Sequence, residues 1–117
     1  CLLKKRCCNI NNINVKLFLD NELLIDKNYP VKESNNILSY KDENITTFID
    51  LDKKVLSREG EDYLFVLDII NRMISYTLKE TNHTFYMNDI VCSIDNEKEI
   101  IIEYDFDGNR KLIIKYI

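Results

Sequence analysis

A chain of 117 residues, of which 45% are hydrophobic and 31% charged, is long enough for one domain with a substantial core. Its formal net charge is -4, and its basic cluster, Lys4-Lys5-Arg6, is short. Because nucleic-acid binding needs clustered Lys and Arg, no nucleic-acid partner is expected. No apolar run approaches the ~20 residues of a membrane helix, so no membrane partner is expected either.

Residues 1–12 show no hydrophobic periodicity, which predicts a flexible lead-in before a domain over residues 13–117. The lead-in carries Cys1 and the adjacent pair Cys7-Cys8, whose spacing suits neither a zinc site nor an easy disulfide. Leu2-Leu3 is too short for the apolar region of a signal peptide, which favours a cytoplasmic location. A lipid anchor on Cys1 is the alternative. Cys92 keeps step with its apolar neighbours, which predicts a small buried hydrophobe.

Apolar and polar residues alternate with period two along most of the chain, which predicts short strands. The alternation indicates strands over 13–19, 22–27, 36–41, 45–51, 54–58, 62–68, 72–79, 84–87 and 90–95. Two further strands, 100–106 and 111–116, flank Asp107-Gly108, and Asp-Gly between alternating runs is a strong hairpin indicator.

Two segments leave room for other interpretations. Tyr29-Pro30 is expected to break the ladder or to lie at its edge, because proline cannot donate a ladder hydrogen bond. The segment 63–73 also fits a helix face, but its β-branched and aromatic content favours a strand over 62–68.

This succession of strands predicts an all-β fold, a single antiparallel up-and-down barrel. Short connections favour a meander, and a long meander removes its exposed edges most easily by closing. A barrel closed by roughly eight strands has an interior that side chains fill or that one small ligand occupies.

Several short motifs resemble an uncharacterised bacterial family, the YwiB type, which has a small calycin-like (lipocalin-like) β-barrel. They are Leu38-Ser39-Tyr40-Lys41-Asp42-Glu43, Thr46-Thr47-Phe48-Ile49, Ser57-Arg58-Glu59-Gly60, Phe65, Ser75-Tyr76-Thr77, Ser93-Ile94 and Glu103-Tyr104. Residues 78–83 stand where that family tends to have a Thr-Pro-Tyr-Gly-like turn. The resemblance implies a calycin-like barrel and supplies no activity.

Arg58 is the most informative charged residue, because Leu56 and Arg58 share one face of their strand. If Leu56 faces the interior, Arg58 presents its guanidinium there as a fixed fork for a carboxylate or phosphate. The alternative is a structural ion pair with a strand carboxylate such as Glu103. Thr47, in step with its apolar neighbours, adds a hydroxyl to the same polar spot or is a threonine chosen for strand propensity.

Tyr76 and Tyr104 lie in register with apolar faces, which predicts buried rings whose hydroxyls need partners. They line a ligand cavity or simply fill the barrel. His83 is the only histidine and has no second ligand at metal-binding spacing, so no metal site and no cofactor are expected. The acidic pairs at turns, among them Asp42-Glu43, are predicted to be solvated.

Three functions stay open from the sequence. The first is a binding module whose interior holds a small anionic or partly apolar ligand at Arg58, Thr47, Tyr76 and Tyr104. The second is an enzyme acting on small acids, in which Glu103 would move a proton, although Glu103 alternates away from Tyr104. The third is an interaction protein without a ligand. No catalytic residue is assigned.

Overall fold

The computed structural model describes residues 11–87, 90–95 and 98–117, and these residues form strands and turns. The strands are β1 (Asn11–Leu19), β2 (Glu22–Ser34), β3 (Ile37–Asp42), β4 (Ile45–Asp50), β5 (Val55–Gly60), β6 (Tyr63–Asp68), β7 (Met73–Leu78), β8 (Thr81–Tyr86), β9 (Ile90–Asp95), β10 (Glu99–Asp105) and β11 (Asn109–Tyr116). The predicted all-β fold is confirmed, including a strand in the segment that also fitted a helix. The predicted lead-in overlaps β1 at residues 11–12, and the rest of it, with Cys1, Cys7 and Cys8, lies outside the described residues.

All eleven strands belong to one antiparallel sheet with the order β8-β7-β6-β5-β4-β3-β2-β1-β11-β10-β9. This is the order of an up-and-down barrel that is open between β8 and β9, two strands that follow each other in the chain. Met87 and Ile90 are three peptide links apart, so their Cα atoms lie within about 11 Å of each other. The meander is therefore confirmed, and the sheet curls into a half-barrel.

The expected closure of the barrel is wrong for the described residues, since no ladder joins β8 to β9 there. The physical reason lies in β8, all six residues of which are exposed. Its inward positions Thr81, His83 and Phe85 include one strongly apolar side chain, so docking this strand against β9 would bury little apolar surface. Phe85 instead makes an edge-to-face contact across the opening with Phe106, at 5.3 Å between ring centroids.

Tight turns set the register, and within the described ranges nine non-glycine residues adopt positive φ in them. The β1–β2 turn has φ values of 49° at Asp20 and 69° at Asn21, and Asn35 and Asn36 repeat this pattern between β2 and β3. Two successive positive φ values are typical of the type I′ hairpin turn, which Asn and Asp tolerate better than most residues. This use of Asn and Asp explains how a chain with two glycines builds so many hairpins.

β2 runs through Pro30, where the sequence predicted a break or an edge. Pro30 lies opposite Asn12 of β1, and the pairing of β2 with β3 begins only at Lys32. The missing N–H of the proline therefore falls where one side of β2 is free of a ladder, which is the edge-like setting that proline tolerates.

The apolar core fills one end of the half-barrel. In the register of β3 to β7, one inward row consists of buried aliphatic residues: Leu38, Ile49, Leu56, Leu67 and Ile74. A matching group comes from the other wing, with Val15, Ile114 and Ile100 on β1, β11 and β10. The next inward row of β3 to β7 is mixed in polarity and begins the candidate site: Tyr40, Thr47, Arg58, Phe65 and Tyr76.

Candidate functional site

The concave face encloses a cavity of about 320 Å³. This volume lies at the lower end of the range of small-molecule sites in proteins. All four residues predicted to bind a ligand, Arg58, Thr47, Tyr76 and Tyr104, line this cavity. Its wall also contains residues that the sequence analysis did not assign to a site, chiefly Tyr29, Tyr40, Asp42, Tyr63 and Arg110.

Arg58 extends from β5 into the cavity, opposite Thr47 on β4 and Phe65 on β6. It is half-buried, and it makes no ion pair or side-chain hydrogen bond with any described residue. The structural ion pair with Glu103 is therefore not found. Glu103 pairs in register with Lys111 and alternates with the inward Tyr104, so its carboxylate belongs to the outer face.

Thr47 is 1% exposed, and its Oγ1 makes no well-formed hydrogen bond with any described residue; its one polar interaction there is with the hydroxyl of Tyr40, its partner on β3, and this interaction lowers the pKa of Tyr40. Burying a hydroxyl without a hydrogen bond costs about 1–3 kcal/mol, so an unsatisfied hydroxyl in a cavity wall needs an explanation. Val would provide the same shape and β-propensity without that cost. The threonine thus places a weakly bonded hydroxyl in the cavity wall, at the strand position opposite Arg58.

Tyr29, Tyr40 and Asp42 form a polar cluster at the β2–β3 wall. The Tyr29 hydroxyl donates to Oδ2 of Asp42 at 3.0 Å, and the rings of Tyr29 and Tyr40 stack at 4.9 Å between centroids. Burial, reinforced by the Asp42 carboxylate, raises the pKa of Tyr29 to about 12. The prediction that Asp42 is a solvated turn residue is wrong, because Asp42 ends β3 on its inward face and lines the cavity.

Burial also raises the pKa of Tyr40, Tyr63 and Tyr104. At Tyr40 a weak hydrogen bond with Thr47 opposes the rise in pKa most strongly. The positive charge of Arg58 opposes the rise at all three tyrosines, and Arg110 opposes it at Tyr104. Arg58 is therefore surrounded by neutral phenols, which can donate and accept hydrogen bonds but cannot neutralise a cation.

Arg110 is a second cation in the cavity wall. Its Nε donates to the Phe106 carbonyl oxygen at 2.6 Å, and its Cζ lies 5.7 Å from the centroid of the Phe106 ring. These contacts fix the side chain and leave the two terminal nitrogens for other partners. The sequence contained an indication of this role, because Arg110 alternates in step with Leu112 and Ile114, which the hairpin places inside.

Tyr76 lies between two rings of the edge strand β8, His83 at 5.0 Å and Phe85 at 5.8 Å between centroids. His83 is thus occupied by stacking against Tyr76. Over residues 11–87, 90–95 and 98–117, no group of three or more His, Cys, Asp or Glu side chains is placed to hold a metal ion. The same residues contain no helix long and apolar enough to cross a membrane.

No protein-family model matches the chain, and no curated protein matches it. The resemblance to the YwiB-type family therefore stays a prediction, and the cavity itself is the feature that indicates a function.

Proposed function

We propose that this protein is a binding module whose half-barrel holds a small, partly apolar anion, with Arg58 as the counter-charge. The observation that carries the proposal is a half-buried arginine that lines a cavity of about 320 Å³ and forms no ion pair within residues 11–87, 90–95 and 98–117. A calycin-like relationship, which the YwiB-type motifs suggest, accords with this role and forms part of the proposal.

Buried or partly buried charges are normally paired, because removing a charge from water is costly. A structural arginine would therefore be expected to find a carboxylate within the fold. An arginine kept for a ligand is paired only when the ligand is present, and it then forms charge-assisted hydrogen bonds with a carboxylate or phosphate. The hydroxyl of Thr47, opposite Arg58 in the sheet and without a well-formed hydrogen bond among the described residues, supplies a further polar contact.

The remaining wall defines the other part of the ligand. Apolar surface comes from four side chains of the wall: Leu17, Phe65, Phe106 and Leu112. Several tyrosines add the apolar faces of their rings and their polar hydroxyls. A volume of about 320 Å³ equals roughly ten waters at liquid density, so the ligand has on the order of ten non-hydrogen atoms inside the cavity. A carboxylic acid with a ring or branched aliphatic body satisfies both requirements.

The proposal is tested by isothermal titration calorimetry. The ligands are carboxylates of increasing apolar size, from acetate to 3-phenylpropanoate. We expect affinity to rise with the apolar body and to fall about 10- to 150-fold in Arg58→Met, because a hydrogen bond to a charged group contributes about 1.5–3 kcal/mol. Lys41→Met is the matched control, since Lys41 is exposed and lies between the inward Tyr40 and Asp42. Equal affinities in wild type and Arg58→Met would contradict the proposal.

A further inference from the structure

The carboxylate of Asp42 lies in the cavity wall and has no basic partner in the described part of the chain. Its Oδ2 accepts the hydrogen bond from Tyr29, and no Lys or Arg of the described residues forms an ion pair with it. Since burial and this carboxylate hold the pKa of Tyr29 at about 12, the phenol stays protonated and neutral at ordinary pH. The cluster therefore presents a negative charge to the interior.

The carboxylate of Asp42 (the negative pole) and the guanidinium of Arg58 (the positive pole) act on the same two tyrosines. Asp42 and Arg58 shift the pKa of both Tyr29 and Tyr40, Asp42 upward and Arg58 downward. Both charges line the one cavity, together with Arg110. One molecule of about ten non-hydrogen atoms can therefore contact both poles.

Asp42 and Arg58 do not form an ion pair with each other, and the sheet register separates their backbone positions. Asp42 pairs with Ile45 on β4, whereas Arg58 pairs with Thr47, so the two charges lie two strands apart and are offset along the strands. A charge that is partly removed from water and has no partner lowers the stability of the protein. Where water is scarce, an opposite charge on a ligand attracts it strongly. A ligand that carries a charge of each sign would satisfy both at once.

We infer that the ligand is a small zwitterion, with its carboxylate at Arg58 and its ammonium group at Asp42. The inference rests on the proposed function and narrows it from small anions to compounds that also carry an ammonium group. The Thr47 hydroxyl contacts the carboxylate, and the aromatic and aliphatic wall holds the apolar body. An apolar α-amino acid is the simplest compound with these three parts.

The test uses three probes that share one apolar body: phenylalanine, 3-phenylpropanoate and 2-phenylethylamine. Calorimetry on the wild type is expected to give an affinity for phenylalanine at least tenfold higher than for either of the other probes. In Asp42→Asn, which keeps the shape and an oxygen for Tyr29, phenylalanine and 3-phenylpropanoate are expected to bind within about threefold of each other. Lys41→Met is expected to behave as the wild type.

The outcomes separate this inference from the proposed function. If 3-phenylpropanoate binds as tightly as phenylalanine to the wild type, and Arg58→Met weakens both, the zwitterion inference is overturned and the anion-binding function stands. If 2-phenylethylamine binds as tightly as phenylalanine, the carboxylate contributes nothing to binding, and both proposals are overturned. Binding of none of the three, nor of leucine and its corresponding acid and amine, also overturns both. Near-ultraviolet circular dichroism of Asp42→Asn checks that the variant keeps the wild-type packing.

Discussion

Replacing Arg58 by Met distinguishes a structural arginine from one reserved for a ligand. Met retains a flexible apolar stem of similar reach and removes only the charged fork. If Arg58 were half of a buried ion pair, the change would leave a carboxylate unpaired and lower the free energy of unfolding by about 3–5 kcal/mol. The described residues contain no such partner.

We expect instead that Arg58→Met leaves the free energy of unfolding unchanged or raises it by at most about 1 kcal/mol. The substitution removes a desolvated cation and its repulsion from Arg110. It also removes the attraction to Asp42, which lies beyond ion-pair distance and therefore offsets only part of that gain. Positions kept for binding commonly show this exchange of stability for function.

Urea denaturation measures the effect. With a slope of about 1.5 kcal/mol per molar urea, a loss of 3–5 kcal/mol lowers the midpoint by about 2–3 M, whereas the expected change raises it by less than about 0.7 M. The slope must be the same in both proteins, and Lys41→Met reports the effect of losing one positive charge outside the cavity. A midpoint at least 2 M lower in Arg58→Met alone would refute the reasoning.

Four further predictions concern individual residues. Thr47→Val is expected to raise the free energy of unfolding by up to about 1 kcal/mol, because the buried hydroxyl that it removes makes no well-formed hydrogen bond with a described residue and only a weak one with Tyr40; a lower urea midpoint contradicts this. Since the pKa of Tyr29 is raised from 10.0 to about 12, its contribution to stability is complete below pH 10 and is lost between pH 10 and 12. Between pH 10 and 12, the free energy of unfolding is therefore expected to fall less steeply with pH in Tyr29→Phe than in the wild type. Equal pH dependence in the two proteins would contradict the raised pKa of Tyr29. Burial raises the pKa of the Cys92 thiol, so iodoacetamide should alkylate it several-fold more slowly in the native than in the urea-unfolded protein, and equal rates would exclude a sheltered thiol. Gly108→Ala is expected to lower the free energy of unfolding by about 1–3 kcal/mol, because φ is +111° and the added Cβ would lie 2.9 Å from the Leu19 side chain. Gly60→Ala is the control: its Cβ would meet nothing closer than 3.5 Å, and the free energy of unfolding should change by less than about 1 kcal/mol.

The strand pattern was predictable because side chains alternate with period two wherever one face is buried. The alternation grouped Thr47 with Ile49 on one face of β4 and Ile74 with Tyr76 on one face of β7, and the structure places both faces inside. Leu38 and Leu67, which the pattern did not assign to a face, lie in the same buried row. The alternation also grouped Arg58 with Leu56, and the structure shows that their shared face is the inner one. Closure was not predictable, because it depends on how much apolar surface β8 buries against a strand whose pairing the pattern does not specify.

The cavity's second cation and its anionic pole were missed for different reasons. Arg110 follows an Asp-Gly turn and resembles a turn residue, although it lies two residues before Leu112 and therefore on the same inward face of β11. Asp42 stands beside Glu43 at a hairpin, where acidic residues are usually solvated. Its inward position depends on β3 extending to the turn and on the Tyr29 hydroxyl, which comes from a neighbouring strand and leaves no local pattern.

The most direct test of the central claim observes the Arg58 guanidinium itself. The chain has four arginines, so the side-chain Nε–Hε signals of a ¹⁵N-labelled sample can be assigned, that of Arg58 by its loss in Arg58→Met. On titration with 3-phenylpropanoate, we predict a saturable shift of the Arg58 signal, while that of Arg72, exposed in the β6–β7 turn, stays in place. An Arg58 signal that does not move at saturating acid, or that moves no more than that of Arg72, would contradict the account.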